Sequence, residues 1–408
     1  MKMNKLKFLI LNFFLCLCFC LLLVSCEKKN KDGTVKLNPE EIHLVVWESL
    51  GGPDDFIKQA GKAYTEKHPN VIVDFVNVES NNAAQQLENI IADGVGPDLF
   101  VAPHDNLGNL VSNNYVIPTK NPDKIEQSVL GACSKALTYD GVMYGYPLSA
   151  ETYALFYNKR LISENQVPTT WQDLEKFVQD FNQKNPGKYG FVMDIKSSYY
   201  GILFTTAKNN RLFGESGTDS KNTNMNNKYA VDGLKYLQSL KNSLGLQNID
   251  LSTASCDSLF STGNAAMHIT GVWNVNGFEK KGLNFGVAPI PALPGENQPA
   301  ASFSGTRGIF VSSCSKHPNE ASDFAEFLIS PEMQQLRFKL TGAMPAINTT
   351  VDSKYMSGFL KQLDYAFPMP SIPQMNKFWS EMDAAILDIW NGADVQSTMD
   401  KCNSAIIR

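Results

Sequence analysis

Ile42-His43-Leu44-Val45-Val46-Trp47, then Gly51-Gly52-Pro53, then Phe56, Ala60 and Tyr64, then Val71-Ile72-Val73-Asp74-Phe75: the reading of this run decides the fold. The first segment is short, apolar and β-rich, and the glycines and proline behind it turn the chain. Phe56, Ala60 and Tyr64 recur at helical spacing. Asp54 and Asp55 precede them, and a helix N-terminus favours negative charge. Val71, Val73 and Phe75 alternate as a strand does, Leu87, Ile90 and Ile91 mark a second helix, and Asp98-Leu99-Phe100-Val101 reads as a third strand. Strand–helix repetition of this kind predicts a parallel α/β sheet covered on both faces.

Further along, the style repeats. Trp171-Gln172-Asp173-Leu174 opens a helix through Phe177 and Phe181 that Asn185-Pro186-Gly187 stops, and residues 214–228 read as a polar loop. Val231, Leu234, Leu237 and Leu240 then share one helical face. Helices are predicted around 318–340 and 376–391. Between them Phe367-Pro368-Met369-Pro370-Ser371-Ile372-Pro373 must be extended, because proline neither donates nor tolerates a helix interior. There is no internal repeat of solenoid period.

In the other direction the chain reaches a different kind of segment. Lys2, Lys5 and Lys7 precede an uncharged apolar run from Phe8 to Val24, which ends in Leu23-Val24-Ser25-Cys26. A basic start, an apolar run and small residues before a cleavage point describe an export signal. An uncleaved membrane anchor is the alternative, since the run is little short of a full span. The Leu-Val-Ser-Cys ending resembles the bacterial lipobox, whose cysteine receives a diacylglyceryl group and becomes the first residue after cleavage. That resemblance implies a signal peptide over 1–25, lipidation at Cys26 and a flexible tether over 26–41. The protein would then sit on the cell membrane, lipid-anchored, facing the extracellular or periplasmic side.

The chain has 408 residues, 43% hydrophobic and 19% charged, with a net charge of −5. That length exceeds one compact core and suits two lobes. The acidic balance argues against nucleic acid and against broad electrostatic membrane binding. Outside the leader and Cys26, Cys133, Cys256, Cys314 and Cys402 are widely spaced without a CxxC pair. They are compatible with disulfides or with isolated buried thiols. The histidines show no HxH or HExxH spacing, so no metal is expected. GxxxxGK[ST], GxGxxG and GxSxG are absent, so no cofactor is expected either. Carboxylates are plentiful, and counting them does not exclude a two-carboxylate glycosidase.

What remains is a set of aromatics beside isolated polar groups: His104-Asp105-Asn106, Glu151-Thr152-Tyr153, Tyr199-Tyr200, Gly271-Val272-Trp273-Asn274 and Phe378-Trp379-Ser380. Aromatic faces stack on the C–H faces of sugar rings, and carboxylates accept hydrogen bonds from hydroxyls. Each residue also has a plainer reading. Asp105 could cap a helix, Glu151 could be a solvated charge, and the tyrosines and tryptophans could be core or rim residues.

Taken in order, these segments resemble the maltose-binding type of bacterial extracellular solute-binding protein, which feeds an ABC importer. The resemblance runs from about residue 42 to the end. It rests on Gly96-Pro97-Asp98-Leu99 leading to His104-Asp105, on Tyr139 to Pro147, and on Glu151 with Leu155 to Leu161. Pro168 to Leu174, Gly263 to Met267 before Gly271-Val272-Trp273, and Pro370 to Met375 before Phe378-Trp379 complete it. It implies an α/β, two-lobe periplasmic-binding-protein fold with a hinge and an interlobe ligand cleft. One lobe would be 42–149 plus 304–349, the other 150–303 plus 350–408.

Carried over residue by residue, Asp105 and Glu151 would accept hydrogen bonds from sugar hydroxyls. Tyr199, Trp273 and Trp379 would stack on glucosyl rings, with Tyr200 on the same wall and Met375 lining the cleft. Ala102 and Asn106 stand where maltose binders have tryptophan and arginine, and a tyrosine expected near Thr253 is missing. In the first strand–turn only Glu48 or Ser49 could replace the family's acidic and lysine ligands. The expected protein is a monomeric, non-catalytic receptor. It would capture maltose, maltodextrin or a related gluco-oligosaccharide by hinge closure and deliver it to an ABC permease. The competing readings are a binder of a non-sugar ligand (polyamine, peptide or anion) and a surface glycosidase. A purely structural or adhesive lipoprotein leaves the matched residues unexplained.

Overall fold

Residues 41–408, apart from 248, 350 and 352, are described by a computed structural model. The expected signal peptide, Cys26 and all of the tether but Glu41 lie outside the described residues. The strands are β1 (Ile42–Glu48), β2 (Val71–Asn77), β3 (Leu99–Pro103), β4 (Thr138–Tyr139), β5 (Val142–Met143) and β6 (Gly145–Asn158). They continue with β7 (Tyr189–Met193), β8 (Ala265–Gly271), β9 (Phe285–Ala288), β10 (Phe303–Val311) and β11 (Phe367–Pro368). The main sheet runs β2-β1-β3-β10-β6-β8-β7, with β11 on β10 and β9 on β6, while β4 and β5 form a separate hairpin.

The opening run folds as its pattern predicts. β1 lies parallel to β2 and β3, with Ile42 opposite Val71 and Val46 opposite Leu99. The helix Pro53–Lys67 between β1 and β2 starts on a proline followed by Asp54 and Asp55, and buries Phe56, Ile57, Ala60, Gly61 and Tyr64. The sheet is nevertheless mixed rather than parallel. β10 enters between β3 and β6 and pairs antiparallel with both. It reaches that place from a distant part of the chain, which strand–helix alternation over residues 42–101 does not reveal. The expected helix over 318–340 is two helices, Pro318–Leu328 and Pro331–Thr341. Pro331 has no N–H to continue the first, and it holds Ser330 extended at ψ 153°.

Buried apolar side chains fall into two separate clusters. One joins Leu44, Val46, Phe56, Phe100, Tyr146 and Leu148 to Ile309, Phe310, Phe324 and Leu328. The other joins Tyr153, Phe156, Trp171, Phe191 and Leu234 to Phe303, Met344, Phe378 and Ile386. The molecule is thus two α/β lobes, and β6 and β10 each run from one core into the other. Cys133, Cys256, Cys314 and Cys402 are all unpaired, the first two and the last of them buried. Among the described residues no helix is long and apolar enough to cross a membrane.

The first core encloses an ion pair. Arg337 Nη1 and Nη2 lie 3.3 and 3.4 Å from Glu48 Oε2, both side chains are buried, and the guanidinium packs over the Phe56 ring. Removing one partner strands the other charge in a dry site, at about 3–5 kcal/mol. Glu48→Leu is therefore expected to lower the thermal midpoint sharply. Glu48→Leu with Arg337→Met recovers most of that loss, and calorimetric melting of the three proteins checks it.

Candidate functional site

The ends of β3, β8 and β11, the middle of β6 and β10 and the first turns of the helix Met375–Trp390 open on one cleft of about 630 Å³. Its polar side begins where Pro103 ends β3 and a single 3₁₀ turn, His104–Asn106, follows. His104 is buried, with Nε2 2.9 Å from the Met369 carbonyl and Nδ1 3.1 Å from the Thr306 N–H. The carbonyl only accepts and the amide only donates, so Nε2 carries the proton and Nδ1 is bare. Burial also pulls the His104 pKa down, which keeps the ring neutral against the neighbouring Asp105 charge.

Asp105 does not cap a helix. It is 6% exposed, its Oδ2 accepts from the Trp379 indole N–H at 2.9 Å, and its Oδ1 is buried without a partner. Burial raises its carboxyl above the ordinary carboxylate range, while the indole N–H pulls in the other direction.

Glu151, in mid-β6, is not a solvated charge. Arg307 Nε donates to its Oε1 at 3.0 Å and Nη2 to its Oε2 at 3.3 Å, a bidentate pair that fixes both planes. Arg307 Nη1 reaches Ser80 Oγ at 2.5 Å and Asn81 Oδ1 at 3.0 Å, at the start of the helix Ser80–Ile91. The β10–β6 register shifts between Arg307 and Gly308. The extra residue, Leu148, lies on β6, and the Arg307 guanidinium lines the cleft.

Much of the remaining lining is aromatic. Tyr199 is its centre, with ring centroids 6.0 Å from Trp273, 6.4 Å from Trp379 and 5.3 Å from Tyr200. Burial pushes the Tyr199 and Tyr200 phenols well up, so both stay neutral. Trp273 is 37% exposed and lies across Gly271. A Cβ at Gly271 would stand 2.1–2.2 Å from three indole carbons, so only glycine admits the ring there. Asp383 lines the same wall one helical turn after Trp379, its Oδ1 accepting from the Ser198 N–H at 2.6 Å.

Asp105, Glu151, Tyr199, Tyr200, Trp273 and Trp379 therefore meet in one cleft. Glu48 and Met375 do not. Glu48 is buried against Arg337, behind the cleft wall, and is joined to it through Ser49 and Ser80. Met375 is buried in the second core on the inner face of its helix, and Met369 is the methionine at the cleft. Sequence reasoning missed Arg307, Asn81, Asn82, Ser197 and Asp383, met Thr253 only as a departure, and met Asn106 both in the candidate segment His104-Asp105-Asn106 and as a departure. Two of the missed residues carried a signal. Arg307 is the one charge in the strand Phe303–Val311, and Asp383 stands at i+4 from Trp379, on the same helix face. An aromatic wall facing fixed donors and acceptors suits a flat, hydroxyl-bearing ring with two apolar faces.

The sequence model of a family described as "Bacterial extracellular solute-binding protein" matches residues 59–358. The chain is 29% identical over 413 residues to the galactooligosaccharide-binding protein of Bacillus subtilis (strain 168), spanning 95% of this chain and 94% of that one. It is 30% identical over 364 residues to maltodextrin-binding protein MdxE of the same organism, spanning 85% and 84%. Its fold matches a cyclo/maltodextrin-binding protein complexed with maltotetraose at a TM-score of 0.77, with 30% identity and 91% and 98% of the two chains covered. A Thermus thermophilus maltotriose binding protein bound with maltotriose matches in fold at 0.80, with 24% identity and 89% and 99% covered. By sequence and by fold, the chain belongs to the bacterial extracellular solute-binding proteins.

Proposed function

We propose that this protein captures an oligosaccharide, a maltodextrin or a related gluco- or galacto-oligosaccharide, and delivers it to an ABC permease. The observation that carries the reading is the division of the cleft. Tyr199, Trp273 and Trp379 share the cleft lining with Asp105 and with the Glu151–Arg307 pair. A sugar offers stacking faces to one wall and hydroxyls, which both give and accept, to the other. Relatives whose names specify galactooligosaccharide and maltodextrin binding support the ligand class.

The chain crosses between lobes near residue 149 in β6, near 303–308 in β10 and again in the 342–349 stretch. A ligand touching both walls favours the arrangement in which they are close, so binding shifts a hinge equilibrium by its differential affinity. Lipidation at Cys26 would keep this monomeric receptor on the outer face of the cell membrane beside its permease. A polycation fits less well, because Arg307 already neutralises Glu151 and Asn81 and Asn82 add donors.

Calorimetric titration of the 27–408 fragment with maltose, maltotriose, galactooligosaccharides and unrelated disaccharides tests the reading. Saturable binding of one of these classes is expected, and no binding to any saccharide overturns it. Trp273→Ala or Trp379→Ala is expected to weaken binding by about 2 kcal/mol, roughly thirtyfold. Small-angle scattering with the bound sugar should show compaction; unchanged scattering would remove hinge closure.

The raised Asp105 pKa sets a pH dependence. The carboxylate is the accepting form, and its protonation is complete below the raised value. Affinity is expected to fall on acidification, beginning above the ordinary carboxylate range. Titrations with Asp105→Asn, which removes that acid limb, check the assignment.

A further inference from the structure

Beneath the aromatic wall lies a second polar cluster, which has no opening on the cleft of its own. His268, in mid-β8, is buried, and each of its ring nitrogens faces an oxygen. Nδ1 is 3.1 Å from the Val192 carbonyl and Nε2 is 2.8 Å from Asp257 Oδ1. A carbonyl only accepts, so Nδ1 must carry a proton. A bare Nε2 would then face a carboxylate across 2.8 Å, lone pair to lone pair. The contact needs a proton between the two atoms, and on Nε2 it leaves Asp257 a carboxylate that also accepts from the Asn274 amide. The Asp257 side chain is 25% exposed.

The chain continues outward. The Asn274 amide donates to the same Asp257 Oδ1 at 2.9 Å and to Thr270 Oγ1 at 2.8 Å. Its nitrogen end faces Asp257 because a carboxylate has nothing to give. Thr270 in turn shares a hydrogen bond with the Tyr200 phenol. Asn274 closes the 3₁₀ turn Val272–Asn274 that holds Trp273, and Tyr200 packs against Tyr199.

We infer that His268 is held as an imidazolium and acts as a positioning residue, fixing through Asp257, Asn274 and Thr270 the turn that presents Trp273 to the cleft. The imidazolium orients the Asp257 carboxylate, which then has one direction in which to take the Asn274 amide. That amide locks the turn, and Gly271 lets the indole lie flat upon it. Networks of this type matter by rigidity, since one missing donor leaves several members unsatisfied. The effect on ligand affinity rests on the oligosaccharide reading above; the charge and the ordering of the indole do not.

Two measurements on the unliganded protein and one with sugar test it. Nitrogen-15 NMR of labelled histidine, with the His268 signal assigned by its absence in His268→Gln, is expected to show both ring nitrogens protonated. One bare nitrogen overturns the inference. In His268→Gln the Trp273 indole N–H resonance is expected to shift and broaden; an unmoved signal overturns the positioning role. In the binding assay His268→Gln is expected to weaken a bound saccharide about tenfold with Trp273 present. It should have little effect in the Trp273→Ala background. Equal losses in both backgrounds would mean a general structural defect and overturn the inference. Should His268→Gln not fold, Asn274→Ala, which leaves β8 intact, carries the same cycle and the same indole readout. If the wild-type protein binds no saccharide while the histidine and indole signals behave as expected, the oligosaccharide reading fails and the positioning network stands.

Discussion

The antiparallel pairing of β6 with β10 is the constraint from which the rest follows. Ser304 to Phe310 lies against Thr152 to Gly145, and each strand feeds one core at one end and the other core at its other end. The irregularity in that pairing falls at Arg307 and Gly308, where one lobe gives way to the other. Backbone pairing on its own has no polarity toward a ligand. The side chains supply it, Arg307 from β10 and Glu151 from β6 both lining the cleft. Glu151 on the neighbouring strand then has a fixed partner, and two strands that join the lobes also furnish the polar side of the cleft.

The two walls obtain their rigidity by different means. On the polar side, charges and hydroxyls are linked in a line from Glu151 through Arg307, Ser80 and Ser49 to Glu48 and Arg337. On the aromatic side, Tyr199 is held edge-on by Tyr153 and Tyr200, with ring contacts of 5.0 and 5.3 Å. The Asp105–Trp379 hydrogen bond joins one side to the other. A tryptophan that stacks with its face and donates with its edge serves both functions, which phenylalanine at that place would not.

Local pattern carried much of the fold. Periodicity identified β1, β2, β3 and the helices between them, because amphipathic alternation is written within a dozen residues. The antiparallel entry of β10 was illegible, since it depends on pairing between segments about 150 residues apart, as Gly305 with Glu151. The same division holds for the cleft. Tyr199, Trp273 and Trp379 are recognisable from their neighbours in sequence, whereas Arg307 becomes a cleft residue only when β10 lies beside β6. Met375 failed for a simpler reason. One residue's rotation about a helix axis separates core from cleft, and a resemblance aligned by motif does not resolve which face is which.

The largely buried carboxylates of Asp105 and Glu151 have an implication for selectivity. An acceptor held largely out of water gains little from a ligand that merely fits the space. A hydroxyl placed opposite it restores a hydrogen bond, and a ring with hydrogen at that carbon leaves the oxygen as it was. Sites of this construction discriminate strongly against analogues that lack the matching group, more than an apolar pocket discriminates by size. The receptor would therefore tell sugars apart by a single missing oxygen, and a deoxy analogue of its own ligand would be a worse guest than a longer chain.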